Sequence, residues 1–492
     1  MTNDSQKSEP PIVAMKATNN AAMTAAESPE PRGGTKGNAR RINTRRTQRR
    51  ESVSSGLARV RQLAKEQPKL RFTALMHHLT PDLLRQSYFW LKRNAAPGVD
   101  GVTWEAYGGN LDDRLVDLHA RVHRGAYRAL PSRRKMIPKP DGRERPLGIA
   151  ALEDKVLQRA MVEILNEIYE TVFLGFSYGF RPGRGQHDAL DALAYAITRT
   201  PVNWIIDADL RAYFDTVNHD WLIRFLEHRI GDQRVIRLVR KWLKAGVMDG
   251  LNVLATTKGT PQGAVISPLL ANVYLHYCFD LWVDRWRKKS AAGNIVVVRY
   301  ADDIVIGAKH YNDARALLSD LGDRLASFSL TLHPEKTRLV EFGRWANERR
   351  LRRGKGKPEP FAFLGFLHFC STSRQGHFLL RRQTRPDRMR ITLRAIQEQL
   401  RERMHDSVEE QGRWLQQVVR GYFAYHAVPT NGSSLCNFRH RVTRLWRHVL
   451  SRRSQNAYTP WQTMAAIVNT WLPKPRVSHP WPDERFAVTH PR

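Results

Sequence analysis

Adjacent carboxylates inside an apolar run are the most chemically distinctive feature of this 492-residue chain. Asp302 and Asp303 separate Val296–Val298 from Ile304–Ile306, a pattern that predicts a β-hairpin with both acids at its turn. Neighbouring carboxylates repel each other and are costly to bury unpaired, so a bound cation would resolve the repulsion. The alternative is a solvated turn, because Asp is a common turn residue.

A second acidic pair follows the alternation of a β-strand. Over residues 204–210, Asp207 and Asp209 alternate with apolar residues, so both side chains are expected on one face of the strand. If this strand lies beside the hairpin, Asp209 approaches Asp302 and Asp303 to form a three-carboxylate cluster. Oxygen ligands without His or Cys favour Mg²⁺, with Mn²⁺ as a possible substitute, over zinc. Two such ions about 3.5–4 Å apart support in-line nucleotidyl transfer.

The composition indicates an intracellular protein that binds a polyanion. Lys and Arg number 80 against 47 Asp and Glu, which gives a formal net charge of +33. Such an excess most often serves phosphate binding, and a generally adhesive basic protein is the alternative. Three dispersed cysteines argue against a disulfide framework or a cysteine-rich zinc module. No run reaches the roughly 18 apolar residues of a membrane span, and we expect no membrane partner.

The elements that would position the carboxylates change in character along the chain. Residues 1–55 lack an apolar period and are therefore predicted to form a disordered basic arm. A mitochondrial transit peptide is the alternative, but the acidic residues of this segment disfavour it. Residues 56–370 alternate helical and β-branched patterns, as in a mixed α and β domain. A helix is predicted over Ala151–Thr171, and strands are predicted over Trp204–Leu210 and within Ile295–Ala308.

Residues 371–492 are predicted to form basic, amphipathic helices. They hold 21 Lys and Arg against 8 acids. An apolar stripe with helical spacing runs through Met389, Leu393, Ile396, Leu400 and Met404. The arginines of this segment, among them Arg388, fall largely on other faces of the predicted helix, so the unit would present a basic surface.

An ordered series of motifs resembles the group II intron-encoded reverse transcriptase/maturase family. Tyr300–Asp303 resembles the YxDD box of reverse transcriptases, and Asp209–Asp215 resembles their first palm motif. The further matching blocks, in chain order, are Asn94–Gly101, Ile137–Ile149, Tyr178–Arg184, Gly259–Gly263, Ser267–Asn272, Leu332–Thr337 and Phe363–Phe366. The resemblance covers about residues 60–370.

The resemblance implies an α+β right-hand polymerase with fingers, a palm that contains an antiparallel sheet, and an α-helical thumb or maturase domain. The implied organisation is a disordered arm over 1–55, an N-terminal extension and fingers over 56–200, a palm with interleaved finger elements over 201–370, and the thumb over 371–492. With three scattered cysteines and little chain after the thumb, the sequence resembles the short, endonuclease-free bacterial lineage of the family.

The roles of family residues carry over to matching positions. Catalysis and metal binding would belong to Asp209, Asp302 and Asp303. The incoming nucleotide would be bound by the side chains of Lys139 and Arg145 at the triphosphate, the carbonyl of Leu210 beside the metals, Phe214 as a steric gate against a 2′-OH, and Gln262 near the sugar. Ordinary surface charge is the alternative for the two cations, and a core aromatic is the alternative for the gate.

Two further positions match the primer and template side of the family. Gly365 resembles part of the primer grip, and Lys336 is expected near template or primer phosphate. These assignments depend on the resemblance alone, because a glycine in a turn and a lysine on a surface are common in any protein.

The implied function is RNA-directed DNA polymerase activity in the bacterial cytoplasm. The enzyme would use two Mg²⁺ ions and dNTPs to extend a DNA primer on an RNA template. The resemblance also implies binding to a group II intron RNA, help in splicing, and cDNA synthesis at a DNA target. The alternatives are a free-standing reverse transcriptase recruited to another role such as defence, an RNA-binding maturase without polymerase activity, and an enzyme that copies RNA into RNA.

Overall fold

The computed structural model describes residues 56–138, 144–249, 252–254, 258–260, 263–453 and 458–489. The predicted arm over 1–55 lies outside the described residues, as do Lys139 and Gln262. Within the described ranges, every helix is too short or too polar to cross a lipid bilayer.

The described chain is a mixture of helices and strands, as the sequence predicts, and the strands form three small sheets. The strands are β1 (Ser132–Pro138), β2 (Glu144–Ile149), β3 (Trp204–Asp209), β4 (Val247–Asp249), β5 (Asn252–Leu254), β6 (Ile295–Tyr300), β7 (Asp303–Ala308), β8 (Arg338–Glu341), β9 (Phe361–Phe363), β10 (Phe366–Thr372) and β11 (Phe378–Thr384). The α-helices before the last three strands are Pro81–Trp90, Trp104–Gly108, Leu111–His123, Leu152–Tyr169, Gln186–Arg199, Tyr213–Thr216, His219–Glu227, Gln233–Lys244, Ser267–Leu275, Leu281–Lys289, Tyr311–Ala326 and Ala346–Arg352. Those after β11 are Pro386–Glu402, Val408–His426, Gly432–Leu450, Trp461–Trp471 and Pro482–Thr489.

The central sheet has the strand order β6-β7-β3-β8, and all its neighbours are antiparallel. The predicted hairpin forms β6 and β7, and the predicted strand over 204–210 lies beside β7, which confirms that the two acidic segments are neighbours. One detail differs from the prediction. Asp302 lies in the turn, but Asp303 is the first residue of β7 and pairs with Tyr300.

Two further sheets are formed, and the strands β4 and β5 of the first lie between β3 and β6 in the chain. The first has the order β2-β1-β4-β5, in which only the β1 and β4 pair is parallel among the described strands. The second has the order β11-β10-β9 and is antiparallel. The β9 to β10 connection consists of Leu364 and Gly365, both in the left-handed region with φ of +45° and +80°.

The long helix Leu152–Tyr169 supports the largest hydrophobic core. The predicted helix is confirmed within two residues at each end, and Val156, Ala160, Ile164 and Ile168 form an apolar stripe along it that is fully buried. Val156, Ile164 and Ile168 each contribute about 1.5–3 kcal/mol when they are fully removed from water. The same core includes Ile206 and Ala208 of β3, the strand that ends at Asp209.

The helices after β11 have a hydrophobic core of their own, which we call the C-terminal bundle (residues 386–472). Met389, Ile396 and Leu400 of the predicted stripe are buried in it, whereas Met404 lies two residues beyond the end of its helix and is only partly buried. The expectation that the arginines avoid the buried side fails for Arg388, which is 8% exposed.

Candidate active site

The register of β3 and β7 brings two of the three predicted carboxylates together. Asp209, the last residue of β3, lies directly opposite Asp303, the first residue of β7. Opposed residues in an antiparallel pair have Cα atoms about 4.5–5.5 Å apart. Both side chains are buried, and Asp302 is partly exposed in the adjacent turn. Asp209, Asp302 and Asp303 therefore all lie at the same end of the central sheet.

The turn between β6 and β7 has a strained backbone and a closely packed wall. Ala301 has a φ of +55°, in the left-handed region that residues with a side chain rarely adopt. Gly179 packs against this turn, and a Cβ atom on Gly179 would lie 2.3 Å from the Ala301 amide nitrogen. The Tyr178 amide donates a hydrogen bond of 2.8 Å to the Arg299 carbonyl. The segment around Gly179 thus fixes the position of the turn from outside the sheet.

The buried side chain of Arg299 ties the same turn to three other segments. Its guanidinium is fully buried, and each of its five N–H groups has an acceptor. The acceptors are both carboxylate oxygens of Asp280 at 2.7 and 2.6 Å, the side chains of Asn272 at 3.0 Å and Ser177 at 2.7 Å, and the Ala301 carbonyl at 3.0 Å. A buried guanidinium that is satisfied in this way holds its neighbours in one arrangement.

Sequence reasoning did not identify Arg299 as a site residue. The available signal was a charged residue directly after Val296–Val298, because a charge inside a buried strand requires a partner. That partner is Asp280, the last residue of a π-helical turn over His276–Asp280. Such turns are rare and are frequently found at functional sites. Asp280 lies 19 residues before Arg299, so no local pattern in the sequence connects the two.

A loop after the helix Tyr311–Ala326 holds the backbone of Asp209. The His333 amide donates a hydrogen bond of 2.7 Å to the Asp209 carbonyl, and the Asp209 amide donates one of 3.4 Å to the Thr337 hydroxyl. Leu210, which is 4% exposed, forms a single β-bridge with Leu332. The block Leu332–Thr337 that the sequence resemblance singled out is therefore part of the wall around Asp209.

The side chain of Asp209 has two unlike oxygens. Lys336 lies with its Nζ 3.2 Å from Oδ2, so the structure pairs this lysine with a carboxylate. Oδ1 is buried and has no hydrogen-bond partner among the described residues. A buried carboxylate oxygen without a donor is costly, and a cation at this point would remove the cost.

Phe214 lies five residues after Asp209 in the chain and is packed against its neighbours. Phe214 is 8% exposed in the short helix Tyr213–Thr216, and its ring is 5.3 Å from that of Tyr213 in an edge-on contact. The Thr260 amide donates a hydrogen bond of 2.7 Å to the Phe214 carbonyl, which joins this helix to the block Gly259–Gly263. Within that block, Gln262 lies outside the described residues.

The two cations that are predicted to bind the nucleotide triphosphate are only partly described. Lys139 lies outside the described residues, and of Arg145 only the backbone is described, opposite Ile137 in the β1 and β2 pair. Their predicted contact with a triphosphate stays a prediction.

Tyr425 and Arg388 of the C-terminal bundle lie within electrostatic range of Asp303. The Tyr425 hydroxyl donates a hydrogen bond of 2.8 Å to the Leu364 carbonyl, next to Gly365. Burial raises the pKa of Tyr425, and the negative charge of Asp303 is among the smaller causes that raise it further. Burial and then the neighbouring Arg385 lower the pKa of Arg388, while Asp387 and Asp303 act in the opposite direction. The predicted primer-grip glycine therefore lies on the side of the site that the bundle covers.

Comparison with known proteins agrees with this geometry. The profile of the reverse transcriptase (RNA-dependent DNA polymerase) family matches residues 137–368. Protein YkfC of Escherichia coli strain K12 is 33% identical over 368 residues, which cover 68% of this chain and 90% of that protein. The chain belongs to the reverse transcriptase family.

Other relatives of this reverse transcriptase match over shorter parts of their length. The group II intron-encoded protein LtrA of Lactococcus lactis is 35% identical over 207 residues, which cover 42% of this chain but only 34% of LtrA. An uncharacterized 91 kDa protein in the cob intron of Schizosaccharomyces pombe is 29% identical over 313 residues, which cover 38% of that protein. The chain therefore spans about a third of these two relatives.

As an RNA-directed DNA polymerase, the reverse transcriptase implies a divalent cation, and the donors at the end of the central sheet fit one. They are carboxylate oxygens without His or Cys, the set that Mg²⁺ and Mn²⁺ prefer. The unsatisfied Oδ1 of Asp209 is the observation that supports the fit. In the described part of the chain, no three His, Cys, Asp or Glu side chains are close enough to form a preassembled metal cage. The Lys336 ammonium lies beside Asp209 and neutralises part of the negative charge that a bound cation would otherwise neutralise.

Proposed function

We propose that this reverse transcriptase copies RNA into DNA at Asp209, Asp302 and Asp303, within a right-hand polymerase. The central sheet would be the palm, the sheet that contains β1 and β2 would belong to the fingers, and the C-terminal bundle would be the thumb. The pairing of Asp209 with Asp303 beside the turn of Asp302 is the single observation that carries the proposal. An RNA template, a DNA primer and dNTPs would be its substrates.

The chemistry follows from the carboxylate cluster. Two Mg²⁺ ions held there would lower the pKa of the primer 3′-OH and neutralise the leaving pyrophosphate. The three carboxylates would hold these ions, and the Leu210 carbonyl at the end of β3 would add a further oxygen. The hydroxyl attacks the α-phosphate of the nucleotide, so no protein nucleophile is needed.

The remaining predicted residues would select and align the substrates. Lys139 and Arg145 would neutralise the triphosphate, Gln262 would contact the sugar, and Phe214 would exclude a 2′-OH. Because Phe214 is already packed against Tyr213, its ring would form a rigid wall. Gly365 would contact the primer beside the C-terminal bundle. When metal binds, Lys336 would leave its ion pair with Asp209 and bind a substrate phosphate instead.

We further infer that a group II intron RNA is the biological partner. The match to LtrA and to proteins of other introns supports this partner, as does the excess of cations over acids in the C-terminal bundle. The protein would stabilise the folded intron for splicing and start cDNA synthesis at a DNA target. A free-standing reverse transcriptase is the second candidate, because the chain matches 90% of YkfC but only a third of LtrA.

Primer extension on poly(rA)/oligo(dT) with dTTP and Mg²⁺ tests the polymerase site. We expect Asp302→Asn to lower the rate by about 100-fold or more, because it removes a charge from the cluster at nearly constant shape. Asp215→Asn is the matched control, since this exposed carboxylate lies in the same motif but outside the cluster. Equal activity of Asp302→Asn and the parent would show that the site is wrong.

Splicing separates the two candidate roles. The RNA that flanks the reading frame would be transcribed and incubated at near-physiological salt with and without the protein. Protein-dependent splicing that survives Asp302→Asn supports the maturase role, because binding does not need the carboxylates. Polymerase activity without any effect on splicing would favour the free-standing enzyme.

A further inference from the structure

A basic excursion interrupts the chain between β8 and β9. Residues 344–357, which we call the basic knob, hold seven Lys and Arg against the single acid Glu348. The helix Ala346–Arg352 forms its first half, and a turn that includes Gly354, with a φ of +64°, leads into the second half. The carboxylate cluster uses none of these residues.

The base of the basic knob is held in place, because two of its arginines bind a buried acid. Arg349 donates a hydrogen bond of 3.0 Å to Glu341, the last residue of β8, and another of 2.8 Å to Asn203. Arg353 donates to the second carboxylate oxygen of Glu341. Glu341 is 6% exposed, so these contacts fix the base of the knob to the central sheet.

Four of the other five cations of the knob face water together with two large apolar side chains, and the fifth, Arg350, donates a hydrogen bond of 2.8 Å to the Gly356 carbonyl. Arg344, Lys355 and Lys357 are exposed, and the Arg352 side chain is 81% exposed. Trp345 and Leu351 have exposed fractions of 54% and 74%. Exposed cations around an exposed indole are typical of nucleic-acid-binding surfaces. The cations neutralise phosphates, and the aromatic ring stacks on an unpaired base.

The knob is remote from the carboxylates. Glu341 lies opposite Trp204, the first residue of β3, whereas Asp209 is the last residue of that strand. Five residue steps at about 3.3 Å each separate the two ends of β3 by roughly 17 Å. A nucleic acid on the knob would therefore be a separate segment from the primer end in the active site.

We propose that the basic knob is a second RNA-binding surface, which binds the phosphate backbone and an unpaired base of a structured RNA. The inference depends on the proposed function only for the identity of the RNA, a template or an intron, that the surface would bind. Two exposed apolar side chains are too little surface to anchor the knob in a membrane, because an interfacial helix needs a continuous apolar face. The single-sign charge and the indole favour RNA.

Binding of a labelled 60-nucleotide hairpin RNA with an unpaired loop tests the proposal. The triple variant Arg344→Gln, Lys355→Gln and Lys357→Gln leaves the Glu341 contacts intact. We expect about tenfold weaker binding near physiological salt and a salt dependence smaller by about 2 in the slope of log affinity against log salt. The matched control is Arg237→Gln, Arg240→Gln and Lys244→Gln, which removes three exposed charges from another helix and should leave the affinity nearly unchanged.

The same variants are compared in primer extension on poly(rA)/oligo(dT). The knob variant should keep the kcat and KM of the parent, because the knob lies at the far end of β3. Equal RNA binding by knob variant and parent, or an equal loss in the control, would overturn the proposal. An inactive parent whose hairpin affinity still depends on the knob would reject the proposed function and retain this surface.

A second variant tests the indole, and vesicles test the competing partner. Trp345→Ala should weaken binding to the looped hairpin several-fold and leave a blunt RNA duplex unaffected, because only unpaired bases stack. Knob-dependent binding to phosphatidylglycerol vesicles with no knob-dependent RNA binding would assign the surface to a membrane and overturn the proposal.

Discussion

At the scale of single residues, the candidate site is organised by cations as well as by carboxylates. Lys336 neutralises one oxygen of Asp209, and Arg299 fixes the turn that carries Asp302 without touching that carboxylate. The two cations have different roles. Lys336 is partly exposed and can move away when a metal ion arrives, whereas Arg299 is enclosed by five hydrogen bonds and is part of the framework.

Removal of Lys336 should therefore strengthen metal binding. We expect Lys336→Met to bind Mn²⁺ severalfold to about tenfold more tightly, because the metal no longer competes with an ammonium group 3.2 Å from Asp209. The measurement is a titration of free Mn²⁺ by electron paramagnetic resonance in the absence of substrates. Lys65→Met, an exposed lysine elsewhere, should leave the Mn²⁺ affinity unchanged. Weaker Mn²⁺ binding in Lys336→Met would show that the lysine supports the site.

Arg299 should act on catalysis through the position of the turn. Arg299→Lys keeps the charge but cannot make five hydrogen bonds, so we expect a lower kcat and a higher Mg²⁺ concentration at half-maximal rate. Asp191→Asn provides the control, because it weakens another buried ion pair, with Arg382 at 3.0 Å. Breaking such a pair costs about 3–5 kcal/mol of stability. Equal losses of kcat in both variants, measured well below their melting temperatures, would reduce Arg299 to a purely structural role.

At the scale of elements, the sequence predicted the segments that carry the carboxylates but not what surrounds them. Alternation predicts β3 and the apolar runs predict the hairpin, whereas the neighbouring position of the two is only a condition for the carboxylate cluster, which the structure meets. The contacts of Arg299 with Asp280 and Ser177 span 19 and 122 residues, and that of Lys336 with Asp209 spans more than 100. Such contacts depend on how elements pack, which periodicity within one element does not determine.

The contact of Gly179 with the turn provides an element-level test. Gly179→Ala would put a methyl group against the Ala301 backbone, so the turn must shift and we expect primer extension to fall by about 100-fold. Gly175→Ala is the matched control, because a Cβ atom there meets nothing within 4 Å and the rate should change little. The comparison uses kcat at saturating dTTP and primer. An unchanged rate in Gly179→Ala would mean that the turn tolerates displacement.

At the scale of the whole molecule, the last elements of the chain return to the helix Gln186–Arg199. Arg485 in the final helix lies with a guanidinium nitrogen 2.8 Å from a carboxylate oxygen of Asp188 in Gln186–Arg199. Asp191, in that same helix Gln186–Arg199, binds Arg382 of β11. His479 stacks on His187 with 4.0 Å between ring centroids. The segment after the C-terminal bundle is therefore joined to the elements that precede the carboxylates in the chain.

Buried neutral histidines make this architecture sensitive to acid. Burial is the largest cause that lowers the pKa of His187 and His426 to about 3 and that of His276 to about 4. The unfolded chain binds these protons below about pH 6.5 but the folded chain does not, so stability is complete above that pH and is lost as the pH falls. At pH 5 the cost is on the order of 2 kcal/mol for each histidine. Asp154, whose pKa burial raises to about 6, opposes the loss because the folded chain protonates it first.

Urea unfolding at pH 7.5, 6.0 and 5.0 should therefore show a net fall in the free energy of unfolding. The variant His426→Gln removes one titrating group, so its stability should depend on pH less steeply by on the order of 2 kcal/mol between pH 7.5 and 5, whatever its stability at pH 7.5. His405→Gln is the control, since this histidine is exposed and its substitution removes no buried imidazole. A parallel pH dependence of His426→Gln and the parent would mean that His426 takes up a proton inside the folded C-terminal bundle.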